Sequence, residues 1–184
     1  MTTIARAPAE IEDPQGRQRV VFRQSAEDVL EVDLYVEPGA FVREHVHPTQ
    51  VETFEGVSGT LVLDVDGMRR SVGPGAAIVI PPGTRHGFSN AGEAAHLRVT
   101  VRPALQLEQY FRTFVGLSRD SRLSVPAKGR PSPLLQLAVV MDRFAPELVA
   151  PRIPLALQRP LWRALAFVAR VRGYSSSFPE YGAP

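Results

Sequence analysis

The chain has 184 residues, 44% of them hydrophobic and 22% charged, with a formal net charge of +2 and no cysteine. That composition excludes wholesale disorder, disulfides, thiolate catalysis and any thiolate-held zinc or iron–sulfur centre. A chain this long buries roughly 70% of its extended surface on folding, so it needs no covalent or metal staple to fold.

The charge is divided unevenly. Residues 1–104 carry 10 basic and 14 acidic side chains, whereas residues 105–184 carry 11 basic and 5 acidic ones. The basic residues of the second part are scattered among Leu, Val, Ala and Phe rather than gathered in a stripe with stacking aromatics, which argues against nucleic acid as a partner. No run of about 18 apolar residues occurs, which excludes a transmembrane helix. Residues 1–16 hold Glu10, Glu12 and Asp13 and no apolar core of a leader, so the expected location is cytoplasmic.

In chain order, residues 1–17 read as an N-terminal arm and residues 18–104 as a β domain. Runs rich in Val, Leu, Phe and Thr recur between turn residues. They cover Arg19–Arg23, Val29–Val36, Ala40–His47, Glu52–Val57, Thr60–Val65, Met68–Val72, Ala76–Ile80 and Ala95–Arg102. About eight short strands at this spacing predict a sandwich, jelly roll or barrel. Asp66-Gly67 predicts a tight hairpin, because both turn positions want a positive φ.

Residues 105–184 read as a helical extension. Leu107, Tyr110, Phe111, Phe114 and Val115 have helical spacing within Leu105–Leu117. Residues 118–133 are polar and Pro-rich, a predicted loop. Leu134–Phe144 and Leu161–Val171 are the next predicted helices, with Pro146, Pro151, Pro154 and Pro160 breaking the chain between them. On the last helix Arg159, Arg163 and Arg170 are expected on one face and Leu161, Leu165 and Val168 on the other. The helices carry more apolar surface than solvated helices need. Burial against protein, rather than on a membrane surface, is the expected destination, because the arc is Ala-rich and broken by prolines. Tyr174, Phe178 and Tyr181 predict a tail laid across the protein.

The candidate chemistry lies in the histidines. His45 and His47 are two apart, so on a strand both imidazoles face one side. Glu52 follows across the turn at Pro48–Gln50, and His86 comes 34 residues after Glu52. Three imidazoles and a carboxylate meeting inside a β structure can bind a divalent transition metal and leave one or two positions for water or substrate. His96 alternates with Leu97, Val99 and Val101 and reads as an outward-facing residue. By the same parity Arg43 points inward with His45 and His47, where its fork suits an anionic substrate group; a strand-end Arg in water is the competing reading. Phe54 and Phe88 are two residues beyond Glu52 and His86 and are expected to face the cavity.

These spacings resemble those of the cupin superfamily. Gly39-(5)-His45-x-His47-(4)-Glu52-(6)-Gly59 is similar to its first motif, and Gly75-(5)-Pro81-x-Gly83-(2)-His86-(3)-Asn90 to its second, with 15 residues between them. The resemblance implies a mainly β fold, an antiparallel jelly-roll barrel, followed here by the α-helical extension. It implies that His45, His47, Glu52 and His86 hold one metal, Fe or Mn before Ni, Zn or Cu. The family hosts dioxygenases, isomerases, lyases and binding proteins, so the resemblance does not select among them; the leading expectation is a dioxygenase-type oxidoreductase acting on a small-molecule substrate, in which Glu52 is able to swing and act as a base. A metal-dependent isomerase or lyase, and a non-enzymatic metal- or ligand-binding protein, are the alternatives. An unpaired strand edge and the commonness of two-fold pairing predict a homodimer.

Overall fold

A computed structural model of the chain describes residues 9–123, 133–151 and 153–182. Ten strands lead into three helices. The strands are β1 (Glu10–Asp13), β2 (Gln18–Ser25), β3 (Leu30–Val36), β4 (Phe41–Val46), β5 (Val51–Ser58), β6 (Leu61–Val65), β7 (Met68–Val72), β8 (Ala77–Ile80), β9 (Arg85–Ser89) and β10 (Ala95–Arg102). The helices are α1 (Leu107–Arg119), α2 (Pro133–Arg143) and α3 (Leu155–Val171).

The strands form two antiparallel sheets, a six-stranded one in the order β1-β2-β3-β10-β5-β8 and a four-stranded one in the order β4-β9-β6-β7. Alternation drives their facing. Leu30, Val32, Leu34 and Val36 of β3 are buried, as are Leu97, Val99 and Val101 of β10, because successive side chains leave opposite sides of a strand. In register, Val99 sits opposite both Val32 and Phe54, so the inner face is one continuous apolar layer. Leu61 and Leu63 of β6 complete the core from the other sheet. Asp66 and Gly67, with φ of 52° and 81°, close the β6–β7 hairpin between Val65 and Met68. A two-residue turn with two positive φ angles matches the right-handed twist of the strands it joins.

Two strands lie outside the sequence expectation. β1 falls within the predicted N-terminal arm yet pairs with β2, Ile11 facing Val20. β9 follows directly on a Pro-Pro-Gly turn and contains Gly87, both of which read as loop. Gly87 is where the backbones of β9 and β4 come closest: a Cβ there would lie 2.7 Å from the Val42 carbonyl oxygen. Small size, not flexibility, accounts for it.

The extension is layered on the barrel. α1 sends Leu107 into the barrel core, with Tyr110 and Phe111 packed against it. Leu117, Val140, Phe144, Phe178 and Tyr181 form a second cluster, in which the C-terminal tail crosses α1 and α2. Gln136 and Arg143 of α2 donate to the carbonyls of Ser175 and Ser176 at 2.8 Å each, pinning the tail. Leu135 and Val139 of α2 pack on Ala166 and Ala169 of α3. The predicted loop at 118–133 lies mostly outside the described residues.

α3 departs from expectation twice. It runs through Pro160 and starts at Leu155 rather than Leu161. Its buried face is the small one, Ala166 and Ala169, whereas Leu161 and Val168 are 46% and 41% exposed. Two helices approach closest over small residues, and that contact, not the larger apolar arc, sets the rotation of α3. No helix among the described residues is long and apolar enough to cross a membrane.

If the tail is an integral part of the packing, Phe178→Ala should destabilise the protein by about 3 kcal/mol, the cost of emptying a fully buried ring site. Chemical denaturation measures it. A loss within experimental error of zero would show that the tail merely rests on the surface.

Candidate metal centre

Each functional side chain reaches the barrel interior from a different element. His45 stands on β4 and His86 opposite it on β9. Glu52 enters from β5 in the other sheet, paired in register with Val101 and Ile80. His47 lies one residue beyond the end of β4. One potential ligand atom from each of the four residues falls within a group no wider than 4.8 Å. His47, Glu52 and His86 are buried, and His45 is partly so.

The ring orientations are fixed from behind. The Nδ1 of His45 lies 3.0 Å from the Arg43 carbonyl oxygen, that of His86 3.0 Å from the Thr84 carbonyl oxygen, and that of His47 2.5 Å from the Glu147 carbonyl oxygen. A carbonyl can only accept, so each Nδ1 carries the proton and donates it. Each Nε2 is thereby turned inward, the arrangement that orients metal-ligating imidazoles. His86 Nε2 lies 2.8 Å and His47 Nε2 3.7 Å from Glu52 Oε2. Three nitrogen donors and one carboxylate, all directed to one point, fit a borderline divalent transition metal better than Ca²⁺ or Mg²⁺, which prefer all-oxygen shells.

The electrostatics agree. Burial, with His86 and His47 beside it, lowers the pKa of His45 to about 4, so this ring is neutral and able to ligate at neutral pH. Burial works to raise the Glu52 carboxyl, but the hydrogen bond from His86 and the three imidazoles outweigh it and hold the group below the ordinary carboxylate range. Burial likewise disfavours charged His86, and the Glu52 carboxylate more than offsets this, raising its pKa. A carboxylate kept charged inside a barrel is costly unless a cation answers it.

The four residues line the floor of a cavity of about 530 Å³. Its walls are Phe54 and Phe88 from the strands and Tyr110, Phe111 and Phe114 from α1. Burial pushes the Tyr110 phenol up, so it stays protonated. A more open surface depression of about 600 Å³, between β1 and the β2–β3 strands, contains none of these residues. Phe54 and Phe88 thus line the cavity together with the four clustered groups. Arg43 also borders this cavity; beside it a bulge between Val42 and His45 shifts the register of β4, with Val42 packed on the core and Phe41 55% exposed. Arg43 is exposed at the cavity mouth, and its backbone carbonyl, not its guanidinium, touches a site histidine. His96 faces outward but is partly covered, its ring stacked on Tyr35 with Nε2 3.1 Å from Asp33.

Sequence reasoning passed over Glu147. It does two jobs. Its carbonyl holds His47, and its buried carboxylate accepts the Gln106 backbone N–H at 3.1 Å, at the N-terminus of α1. Burial raises the Glu147 carboxyl above its ordinary value, with the Gln106 N–H working against that. Next to it, Val149 and Val46 exchange backbone hydrogen bonds of 2.9 and 3.1 Å, so the extension adds a short strand to the edge of β4. The available signal was that Glu147 is the only acidic residue between Asp142 and Glu180, set in an apolar stretch.

A family model described as a cupin domain matches residues 32–101. Among solved structures, KdgF from Halomonas sp. is 22% identical, covering 50% of this chain and 84% of that one with a TM-score of 0.47. TT1209 from Thermus thermophilus is 23% identical, covering 50% and 90% with a TM-score of 0.47. An RmlC-like cupin from Shewanella frigidimarina NCIMB 400 is 24% identical, covering 50% and 82% with a TM-score of 0.47. A comparison with curated proteins found no match.

Val149→Pro removes the N–H that ties the extension to β4, while Val149→Ala keeps it. The proline variant is expected to bind Co(II) about tenfold more weakly than the alanine variant, the scale on which groups behind a metal-ligating histidine act. Competition with a chelating dye measures it. Equal affinities would mean that the Glu147 carbonyl does not aim His47.

Proposed function

We propose, on the match of residues 32–101 to a cupin domain, that the chain is a metal-dependent enzyme of the cupin superfamily acting on a small, largely apolar molecule. The proposed ligands are His45, His47, Glu52 and His86, and Fe(II) or Mn(II) is the proposed ion, ahead of Ni, Zn or Cu. One observation carries the reading: all three rings donate Nδ1–H to backbone carbonyls, so three Nε2 atoms and one carboxylate are left facing a common point. Such a metal supplies a Lewis acid or a redox centre with open positions.

The chain's own residues supply the rest. Phe54, Phe88 and the α1 aromatics exclude water and hold an apolar substrate body over the four groups. Residues 18–104 are the proposed barrel domain and residues 105–184 its roof. Arg43, exposed at the mouth, meets an anionic group only on a substrate that reaches the rim. Within this class we favour a dioxygenase, in which O₂ is the co-substrate. The apolar chamber that the four groups share with Phe54, Phe88 and the α1 aromatics supports that choice. Glu52 would help hold the ion and, as the one carboxylate among the four groups, is the residue proposed to accept a proton from the substrate. Isomerase or lyase chemistry at the same ion is the second enzymatic reading, and a non-enzymatic metal- or ligand-binding role stands outside both. The chain is further proposed to pair as a two-fold homodimer; the open edge of β8 and the exposed Val79 beside it support this. A monomer mass by light scattering at micromolar concentration would overturn the pairing.

Purified protein is expected to hold about one transition metal per chain, with ligand distances of about 2.0–2.3 Å. The double substitution His45→Ala, His47→Ala should abolish metal content and leave the barrel folded, since its core is independent of the site. Unchanged metal content would refute the ligand assignment. O₂ consumption by Fe(II)-loaded protein across a panel of phenolics and ketones then separates the classes: turnover without O₂ uptake favours the isomerase or lyase, and no turnover favours the binding protein.

A further inference from the structure

α3 presents two faces to two different surroundings. Gln158, Ala166 and Ala169 are fully enclosed against the rest of the protein. On the opposite side, Leu157, Leu161, Ala164, Val168 and Val171 recur at helical spacing and, at 3.6 residues per turn, stack along one line. Phe167 stands beside that line. These are not marginally exposed residues: Leu157 is 62%, Phe167 68% and Val171 74% accessible. A continuous apolar line on the outermost helix marks a surface that meets something.

The flanks identify what it meets. Arg159, Arg163 and Arg170 form one shoulder of the line and Arg172 the other, all exposed. No acidic residue occurs between Glu147 and Glu180. Arg170 pairs with Asp142 on α2 at 2.7 Å. A second copy of the helix would bury the apolar line but set Arg shoulder against Arg shoulder, with no carboxylate on the helix to answer either. An anionic lipid surface takes both features at once. The apolar line enters the headgroup–acyl boundary, and the guanidiniums pair with phosphodiesters at its rim, the division seen in helices that lie in a membrane interface.

We propose that α3 is a membrane-surface anchor, lying flat on an anionic bilayer with Leu157, Leu161, Phe167, Val168 and Val171 inserted and the four arginines at the phosphate level. The proposal is independent of the reading of the metal centre. It departs from the expectation that the arc is buried on protein, and it requires no span.

Full-length protein should sediment with vesicles of phosphatidylcholine mixed with phosphatidylglycerol at physiological salt, and at least about tenfold less with phosphatidylcholine alone, since each basic residue at a charged surface contributes severalfold in affinity. Leu161→Glu with Val168→Glu should abolish the binding. Arg159→Glu with Arg163→Glu should weaken it at least about tenfold on the charged vesicles. Both pairs are exposed, so the circular dichroism and melting of the variants should match the parent; were the first pair to unfold, the arginine pair alone decides. Absence of binding to either vesicle overturns the proposal, as does equal binding to both. If vesicles are ignored and the Leu161/Val168 variant turns a dimer into a monomer by light scattering, the line is a contact between copies.

Discussion

The hydrogen bond from the His47 ring to the Glu147 main-chain carbonyl joins residues 100 apart in sequence. The barrel alone cannot make it. Two of the three imidazoles are steadied by carbonyls two residues before them, Arg43 and Thr84, and so are aimed by their own strands. The third stands past the end of β4, its backbone carbonyl taken by the Gly83 N–H at 2.9 Å, and its ring finds its partner in a distant segment. α1 and α2 exist in the right places to return the chain to that point. Glu147 secures the geometry at both ends, its carboxylate on the start of α1 and its carbonyl on the ring. Gln50 adds to the same knot by donating to the Pro103 carbonyl at 3.0 Å, which ties the turn between the first histidines and Glu52 to the exit of β10.

This arrangement explains why an edge strand sits so close to the candidate chemistry. β4 borders the four-stranded sheet, and an open edge there would admit water and foreign strands. The Val46–Val149 pairing covers it. The same segment places Leu148 and Val149 in the cavity wall, so a single short stretch seals the sheet, aims a histidine and completes the apolar lining. Aromatic side chains from α1 close the chamber above. The enclosed carboxylate of Glu52 stays charged only because of the imidazoles around it, which is the electrostatic counterpart of the same enclosure.

Much of this was legible in the sequence, and the failures have local causes. The β3 and β10 alternations, the Asp66-Gly67 hairpin and the four clustered residues follow from period-two patterning and spacing, which report directly on facing. At Arg43 a bulge of β4 interrupts the strict alternation, and bulges leave no trace in a hydrophobic pattern. β9 was hidden by Gly87 and by the Pro-Pro-Gly turn before it: the glycine answers to a neighbouring backbone, a contact that only the fold reveals. Pro160 read as a break, yet α3 runs through it. The role of Glu147 was invisible for a deeper reason. A backbone carbonyl is common to every residue, so no sequence marks the one that is used.

The span between His47 and Glu147 also orders events in time. A ribosome releases the chain from its first residue onward, and local strand pairings close early because their loops are short. All four clustered side chains have emerged once His86 is out, but His47 finds its carbonyl only when some sixty further residues have followed. His47 is therefore the last of the four clustered groups to gain its hydrogen-bond partner.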